Sequence, residues 1–222
     1  NDDLFTNEAG ATLRKTGTGT SYLYWPYEGD GAIHVDEGSL RMTGSEIRDA
    51  HIDAVIAAGA SLHLEQTELI GDGMAGGGGG GVTINLSGMD ELYLTALSGP
   101  AALELGGSGT LRANSSTTLD TTIRSTGEFT FDNGYFDGRY GTGTWINEPG
   151  SVLRLGGTYP FYNSLTADDD DLLINEDGAS IIRDGNDSIT YIYWPFINRG
   201  TVDIRRGTIN VYDTDAATSL QL

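Results

Sequence analysis

The residues of this chain best suited to chemistry are aromatic side chains that lie in turn-rich segments rather than in alternating strands. One group occupies the segment from Tyr135 to Tyr162. Flat aromatic rings can stack on the C–H faces of sugar rings, and polar neighbours can bond the hydroxyls. The segment therefore predicts a polysaccharide-binding surface, with packing in a core as the alternative. The predicted ligand-binding residues are the aromatic Tyr135, Tyr140, Trp145, Tyr159 and Tyr162 and the polar Asp137, Arg139 and Asn163.

A second aromatic pattern occurs twice in the chain. Its first copy contains Tyr22, Tyr24, Trp25 and Tyr27, and its second contains Tyr191, Tyr193, Trp194 and Phe196. Because the two copies occupy equivalent places in a long repeat, we favour a structural role in which they close a bend or cap the core. The copies are also too far apart in sequence to share one short binding site.

Candidate metal ligands are few. The run Asp168, Asp169, Asp170 and Asp171 could supply oxygen ligands to calcium, although it lacks EF-hand spacing, and we favour a solvated turn. The three histidines, His34, His51 and His63, could meet on stacked strands and bind zinc. Isolated histidines in strands are more often ordinary surface residues, so no metal site is predicted.

Signatures of catalysis are weak. Lys15 is the only lysine available as a lyase base, and Arg205 and Arg206 lack an accompanying aspartate cluster. No nucleophile elbow for a serine hydrolase is present. A pair of carboxylates could serve a glycosidase, but 32 acidic residues supply such pairs by chance. We therefore expect a noncatalytic protein.

Composition narrows the set of partners. The 222 residues include 32 acidic and 12 basic side chains, a formal net charge of −20, and no cysteine. This charge disfavours nucleic acid and anionic membranes, and no apolar run is long enough to span a bilayer. The absence of cysteine excludes disulfides and thiolate chemistry. We expect an exported segment, secreted or on the cell surface, attached to other domains of a longer chain.

Internal repeats indicate how these residues are positioned. Residues 5–42 match residues 173–211 at an offset of 168 that becomes 169 after one insertion, and a third partial copy begins at Trp145. Between the copies, short alternating apolar runs are bounded by glycine, asparagine or aspartate. Leu40, Leu62 and Ile84 recur at intervals of 22 residues and are expected to stack on one another.

Short strands recurring near 22 residues, without helical patterns between them, are typical of a solenoid. We predict a single right-handed parallel β-helix of roughly nine coils that covers residues 1–222. Inward apolar residues should stack from coil to coil, at the spacing of adjacent strands. An antiparallel β-sandwich is the competing architecture, but the hairpin turns that it needs are sparse.

The pattern Asn-Glu-x-Gly-x-x-Leu/Ile, followed by Gly-Thr-Val-x-Ile-x-x-Gly-Thr-Ile-x-Val, resembles the coils of secreted bacterial right-handed β-helices. These coils occur in adhesins and in a xylan-binding module type attached to polysaccharide-degrading enzymes. The resemblance implies either a noncatalytic module for a neutral plant-wall polysaccharide such as xylan, or a structural stalk or adhesin segment. A lyase or glycosidase is the third possibility that it leaves open.

Overall fold

The computed structural model of the protein is an all-β parallel solenoid. It describes residues 3–70, 82–88, 91–113, 117–137, 142–162 and 171–212, and within these ranges there is no helix. Accordingly, no described helix is able to cross a membrane. The chain turns through three strand positions per coil, and we call the resulting walls face 1, face 2 and face 3.

The strands of each face follow one another along the solenoid axis. Face 1 consists of β2 (Thr12–Lys15), β5 (Ala32–Val35), β8 (His51–Ile56), β10 (Val82–Gly88), the first part of β12 (Leu103–Ala113), β14 (Thr122–Ser125), β17 (Thr144–Asn147), β20 (Leu172–Asn175) and β23 (Phe196–Asn198). Face 2 consists of β3 (Thr20–Leu23), β6 (Ser39–Thr43), the first parts of β9 (Ser61–Ile70) and β11 (Glu91–Ser98), the second part of β12, β15 (Glu128–Asn133), β18 (Val152–Leu155), β21 (Ser180–Arg183) and β24 (Thr201–Ile204). Face 3 consists of β1 (Phe5–Thr6), β4 (Tyr27–Glu28), β7 (Glu46–Arg48), the second parts of β9 and β11, β13 (Thr117–Asp120), β16 (Phe136–Asp137), β19 (Phe161–Tyr162), β22 (Ile189–Ile192) and β25 (Thr208–Val211).

Every described strand pairing is parallel, which confirms the solenoid and excludes the β-sandwich. Face 1 holds nine strands, so about eight turns separate its first strand, β2, from its last, β23. At about 4.8 Å between adjacent strands, the rod is about 40 Å long. The right-handed sense of the coil stays a prediction.

The core consists of inward side chains that stack from one strand to the next. On face 2, Leu40 pairs with Leu62 as predicted, and both side chains are buried. The predicted continuation to Ile84 is wrong, because Ile84 lies on face 1 beside Ile52. Leu62 instead meets Leu92, thirty residues on, since a longer segment separates these two coils.

Aromatic residues fill the core in the C-terminal half of the rod. Phe136, Phe161 and Trp194 are fully buried, with ring centroids 5.2–6.3 Å apart. Trp145 joins them from face 1, with its ring centroid 5.8 Å from that of Phe136. Buried rings of this size dominate the apolar area of a narrow core. The N-terminal half is filled mainly by Leu, Ile, Val and Ala, with Tyr27 and Met42 as its larger buried side chains.

The long sequence repeat is displaced by one face as well as along the axis. Its first copy begins on face 3 with β1, whereas its second begins on face 1 with β20. Consequently β3, which carries Tyr22, lies on face 2, and its counterpart β22, which carries Tyr191, lies on face 3. The two copies are therefore equivalent in sequence but point in different directions.

Two buried cations close equivalent turns in these copies. Lys15 is almost fully buried, and its Nζ donates to the carbonyls of Thr16, Gly17 and Glu37. Arg183 is fully buried and donates to the Leu155 carbonyl at 3.1 Å. Turn carbonyls that point inward need such donors, because a buried carbonyl without a hydrogen-bond donor costs about 1–3 kcal/mol of stability. Lys15 is therefore a structural residue and is not placed as a lyase base.

Some strands bend directly from one face to the next. Gln66 and Ala96 form the bends of β9 and β11 with φ of 52° each, a left-handed conformation that is uncommon outside glycine. Gly107 bends β12 with φ of 84°. A Cβ at this position would overlap the carbonyl oxygen of Leu86 in the preceding coil. The corner at Gly107 therefore requires glycine for two separate reasons.

We predict that Gly107→Ala abolishes folding or lowers the free energy of unfolding by more than about 4 kcal/mol, because the methyl group forces two coils apart. The matched control is Gly59→Ala, at φ of 81° with open space around the position. That change should cost only the left-handed conformation, about 1–2 kcal/mol. Urea unfolding of both variants measures the difference. Equal losses would contradict the proposed close approach of the coils.

Candidate functional site

Face 3 carries a cluster of six tyrosines near its C-terminal end, which we call the tyrosine face. Its members are Tyr135, Tyr159, Tyr162, Tyr191, Tyr193 and Tyr212. They lie on or beside the four successive strands β16, β19, β22 and β25. Because side chains alternate along a strand, an inward ring such as Phe161 leaves its neighbour Tyr162 on the outer surface. All six are partly or well exposed.

The register of the strands arranges most of these rings in two rows. Tyr193 sits between Tyr162 and Tyr212, at centroid distances of 5.4 and 4.9 Å, because the residues before them are register partners. In the second row, Tyr159 stacks on Tyr191 at 5.2 Å with nearly parallel planes. Such contacts stabilise rings by about 0.5–1.5 kcal/mol per pair and hold them in place.

Two shallow grooves run between the rings. One groove of about 440 Å³ is lined by Tyr135, Tyr159, Tyr162 and Tyr193. A neighbouring groove of about 260 Å³ shares Tyr135 and Tyr159 and adds Asn133 and Thr158. Aromatic walls with a few amide and hydroxyl groups beside them are the usual lining of a binding site for an uncharged organic ligand.

The tyrosine face rests on a buried tryptophan, and one of its phenols has a raised pKa. Trp194 lies buried beneath it, and its Nε1 donates to the Tyr162 carbonyl at 3.0 Å. Burial, followed by the nearby phenol of Tyr212, raises the pKa of the Tyr193 phenol above its ordinary value of 10.0. The surface therefore presents the Tyr193 phenol in its neutral form above a tightly packed aromatic core.

The structure brings together only part of the predicted site. Tyr135, Tyr159 and Tyr162 lie together, with Tyr135 edge-on to Tyr162 at 5.3 Å. Two predictions are wrong: Trp145 and Asp137 are fully buried, so neither can touch a ligand on the surface. Trp145 points inward because its position on β17 stacks on Leu173. Tyr140, Arg139 and Asn163 lie outside the described residues.

Sequence reasoning assigned Tyr191 and Tyr193 to the wrong group and omitted Tyr212. It placed them with Tyr22 and Tyr24 because of the repeat, and assigned the group to bends and caps. The signal that could have found Tyr193 and Tyr212 is coil register. Like Tyr162, each directly follows an inward apolar residue, and these apolar residues are register partners: Phe161, Ile192 and Val211. The unequal spacing, 31 and then 19 residues, concealed this series.

The predicted metal-binding candidates do not converge. Within the part of the chain that the structure describes, no group of three or more potential ligands could hold a metal ion. Asp168, Asp169 and Asp170 lie outside that part. The predicted solvated turn is wrong for Asp171, because its side chain is buried and accepts a hydrogen bond from the Gly143 backbone N–H at 2.8 Å. The glycine-rich segment of residues 76–81 also lies outside the described ranges.

His63 differs from the surface residue that was predicted, because its side chain is almost fully buried on the outer side of face 2. It lies between register partners Arg41 and Tyr93, and its ring stacks on that of Tyr93 at 4.2 Å. Along β9 it contacts Ser61 Oγ at 2.9 Å and Glu65 Oε1 at 3.4 Å. The remaining charged groups of this cluster are Glu91 and Arg112.

The contacts run from Ser61 Oγ to the His63 ring and from that ring to Glu65, as in the serine–histidine–acid triad of a hydrolase. The setting, however, does not suit catalysis. Ser61 is nearly buried, and its Oγ also bonds Ser39 Oγ at 2.8 Å. Its backbone N–H is bonded to Gly38, so it is not free to stabilise an oxyanion. We interpret the cluster as packing between coils.

The buried imidazole should make stability depend on pH. Burial, and after it the charge of Arg41, lowers the pKa of His63 below its ordinary value of 6.5, in spite of Glu65. The folded state therefore binds fewer protons than the unfolded state. The contribution of His63 is full above pH 6.5 and is lost as the pH falls toward the lowered pKa.

We predict that His63→Gln reduces the fall in the free energy of unfolding between pH 7.5 and about pH 5, measured by urea titration. The comparison variant is His51→Gln, which removes an exposed histidine of face 1 and leaves the buried cluster around His63 intact, so that the difference between the two variants reports the burial of His63. A His63→Gln variant with the full wild-type slope would contradict this account.

Comparison with known proteins identified no relative: no family model matches the chain, and no curated protein or solved structure matches it. The fold is a β-solenoid by its own geometry. Any functional assignment therefore rests on the surfaces described above.

Proposed function

We propose that the protein is a noncatalytic carbohydrate-binding module that recognises a neutral plant-wall polysaccharide, such as xylan, on the tyrosine face. The single observation that carries this proposal is the cluster of six tyrosines, each in contact with at least one other, along four successive strands of one face. Rings preorganised on a rigid core can stack on sugars without first being ordered, which favours binding.

The spacing of the rings favours an extended chain that lies along the solenoid axis. Adjacent strands are about 4.8 Å apart, close to the length of one sugar residue, so successive coils can offer ring edges and groove walls to successive sugars. The net charge of −20 opposes acidic glycans but not neutral ones. A module of this kind would act outside the cell, secreted or surface-attached, and joined to other domains.

The second candidate function is a structural stalk or adhesin segment. The same ring contacts that form a platform also tie four coils together, and each contributes to the stability of the stack. In a stalk, the tyrosines would matter for stability and not for ligand retention. The two functions therefore differ in what a tyrosine substitution changes.

We predict that Tyr159→Ala and Tyr212→Ala each weaken retention on a xylan affinity gel by the equivalent of about 1–3 kcal/mol, as at other aromatic stacking platforms. Each variant also loses the contacts of its ring with neighbouring tyrosines, so some loss of stability is expected, and the readout is the retention of the folded fraction. Gels of β-glucan, mannan, cellulose and pectin, run in parallel, identify the preferred glycan.

The matched control is Phe161→Ala, which removes a ring of β19 that faces inward beside Tyr162. It should lower the free energy of unfolding by about 3–5 kcal/mol while the folded fraction keeps its affinity. If Tyr159→Ala instead lowers stability sharply and leaves retention unchanged, the stalk becomes the better assignment.

The absence of catalysis is part of this proposal. The described residues that line the two grooves include no Asp, Glu or His, whereas glycosidases use a pair of carboxylates. We predict that prolonged incubation with each glycan releases no reducing ends and no unsaturated products. Product release that a single Asp or Glu substitution abolishes would overturn the proposal.

A further inference from the structure

A second aromatic surface lies near the opposite end of the rod. Tyr22 on β3 and Tyr24 just after it both point outward from face 2, and their ring planes are within 3° of parallel at 5.6 Å. They are 52% and 63% exposed, more than any tyrosine of the tyrosine face, and Trp25 beside them is 55% exposed. Large rings so far out of the core contribute little to folding, so their positions call for another explanation.

We infer that Tyr22 and Tyr24 form a second carbohydrate-binding site, which takes a separate neutral glycan chain. The inference rests on the proposed function of the tyrosine face. Its first support is the internal repeat, because Tyr22 and Tyr24 correspond to Tyr191 and Tyr193 at an offset of 169. The same residues that build the tyrosine face therefore recur as an exposed pair.

Three of the four aromatic positions of the repeated motif face the same way in both copies, and the tryptophan is the exception, since Trp25 is exposed and Trp194 is buried. Tyr27 and its counterpart Phe196 are both buried, as expected for residues that fill the core. Tyr191 and Tyr193 are outward in the second copy, as Tyr22 and Tyr24 are in the first. The outward direction of the tyrosine pair is thus a property of the repeat itself.

The chemistry around the pair suits an uncharged ligand. The register partner of Tyr22 on the next strand is Arg41, whose charge is already neutralised by Glu65 at 2.9 Å. The two phenol rings stack on each other, so their outer faces and their hydroxyl-bearing edges are the parts open to a sugar ring. A neutral glycan is therefore the occupant that we assign to this surface.

The two sites are placed so that one short chain cannot occupy both. Tyr22 lies on face 2 at the first strand of that face, while Tyr193 follows β22 on face 3, about seven turns further along the axis. Seven turns correspond to about 34 Å. Two sites on different faces of a rigid rod would bind two chains and hold them together, which is the geometry of a cross-link.

Stoichiometry tests the inference directly. Isothermal titration with xylotetraose, which is about four strand spacings long and cannot span both sites, should give two ligands per wild-type molecule. The double variant Tyr22→Ala/Tyr24→Ala should give one, and so should Tyr159→Ala/Tyr212→Ala. Val55→Ala, at an exposed apolar position of face 1, should still give two. Circular dichroism and melting confirm that each variant is folded.

The outcomes separate the second site from the first. One ligand per wild-type molecule, unaffected by Tyr22→Ala/Tyr24→Ala, overturns the inference and leaves the tyrosine face in place. A ligand lost only with Tyr22→Ala/Tyr24→Ala supports the second site and overturns the first. Failure of the wild type to bind xylotetraose, cellotetraose and mannotetraose overturns both.

Cross-linking supplies a second readout on polymeric glycan. The wild type should make dissolved xylan turbid at a protein concentration where Tyr22→Ala/Tyr24→Ala binds xylan but leaves it clear. Equal turbidity with both proteins would contradict a second site at this pair.

Discussion

The whole structure depends on the parallel register between one coil and the next. Each strand bonds only to the strands before and after it on its face, so an inward side chain must lie directly on its counterpart. A single coil has no core of its own, and the apolar area that it buries is supplied by its neighbours. The same register fixes the outer side chains, which is why exposed rings as well as buried ones form ordered rows.

The register also accounts for the polar interior. Asn147, Asn175 and Asn198 lie on three consecutive strands of face 1, and each bonds the next through its side-chain amide at 2.8 Å. Such a ladder satisfies buried amides without water and is disrupted if one coil slips. The ladder therefore opposes the shifts in register that flat parallel strands otherwise allow.

The arginines of the described residues form ion pairs within the protein. Every described arginine except the buried Arg183 is paired with a carboxylate, in most cases across adjacent coils. Exposed pairs contribute little individually, about 0–1 kcal/mol each. Their larger effect is on the surface field, because the arginine charges are neutralised locally and the excess acidic groups remain unopposed.

Much of the fold could be predicted from the sequence, because its cause is local and repeated. Alternating runs such as Ser39–Thr43 indicated strands, and the pairing of Leu40 with Leu62 followed from their spacing. The burial of Trp145 could not be predicted, since a one-residue change of register moves a side chain from the surface to the core. The burial of His63 depends on Tyr93, thirty residues away, and no local pattern links the two.

The displacement of the repeat by one face has a consequence for how such chains evolve. A duplicated segment here need not contain a whole number of turns, because β20, β21 and β22 each occupy a different face from their counterparts β1, β2 and β3. Insertions and deletions of a third of a turn then become permissible steps in the history of the gene. Each such step would turn all later surface features about the axis by one face and give the inward side chains new neighbours, so that new orientations of a binding face arise within the same fold.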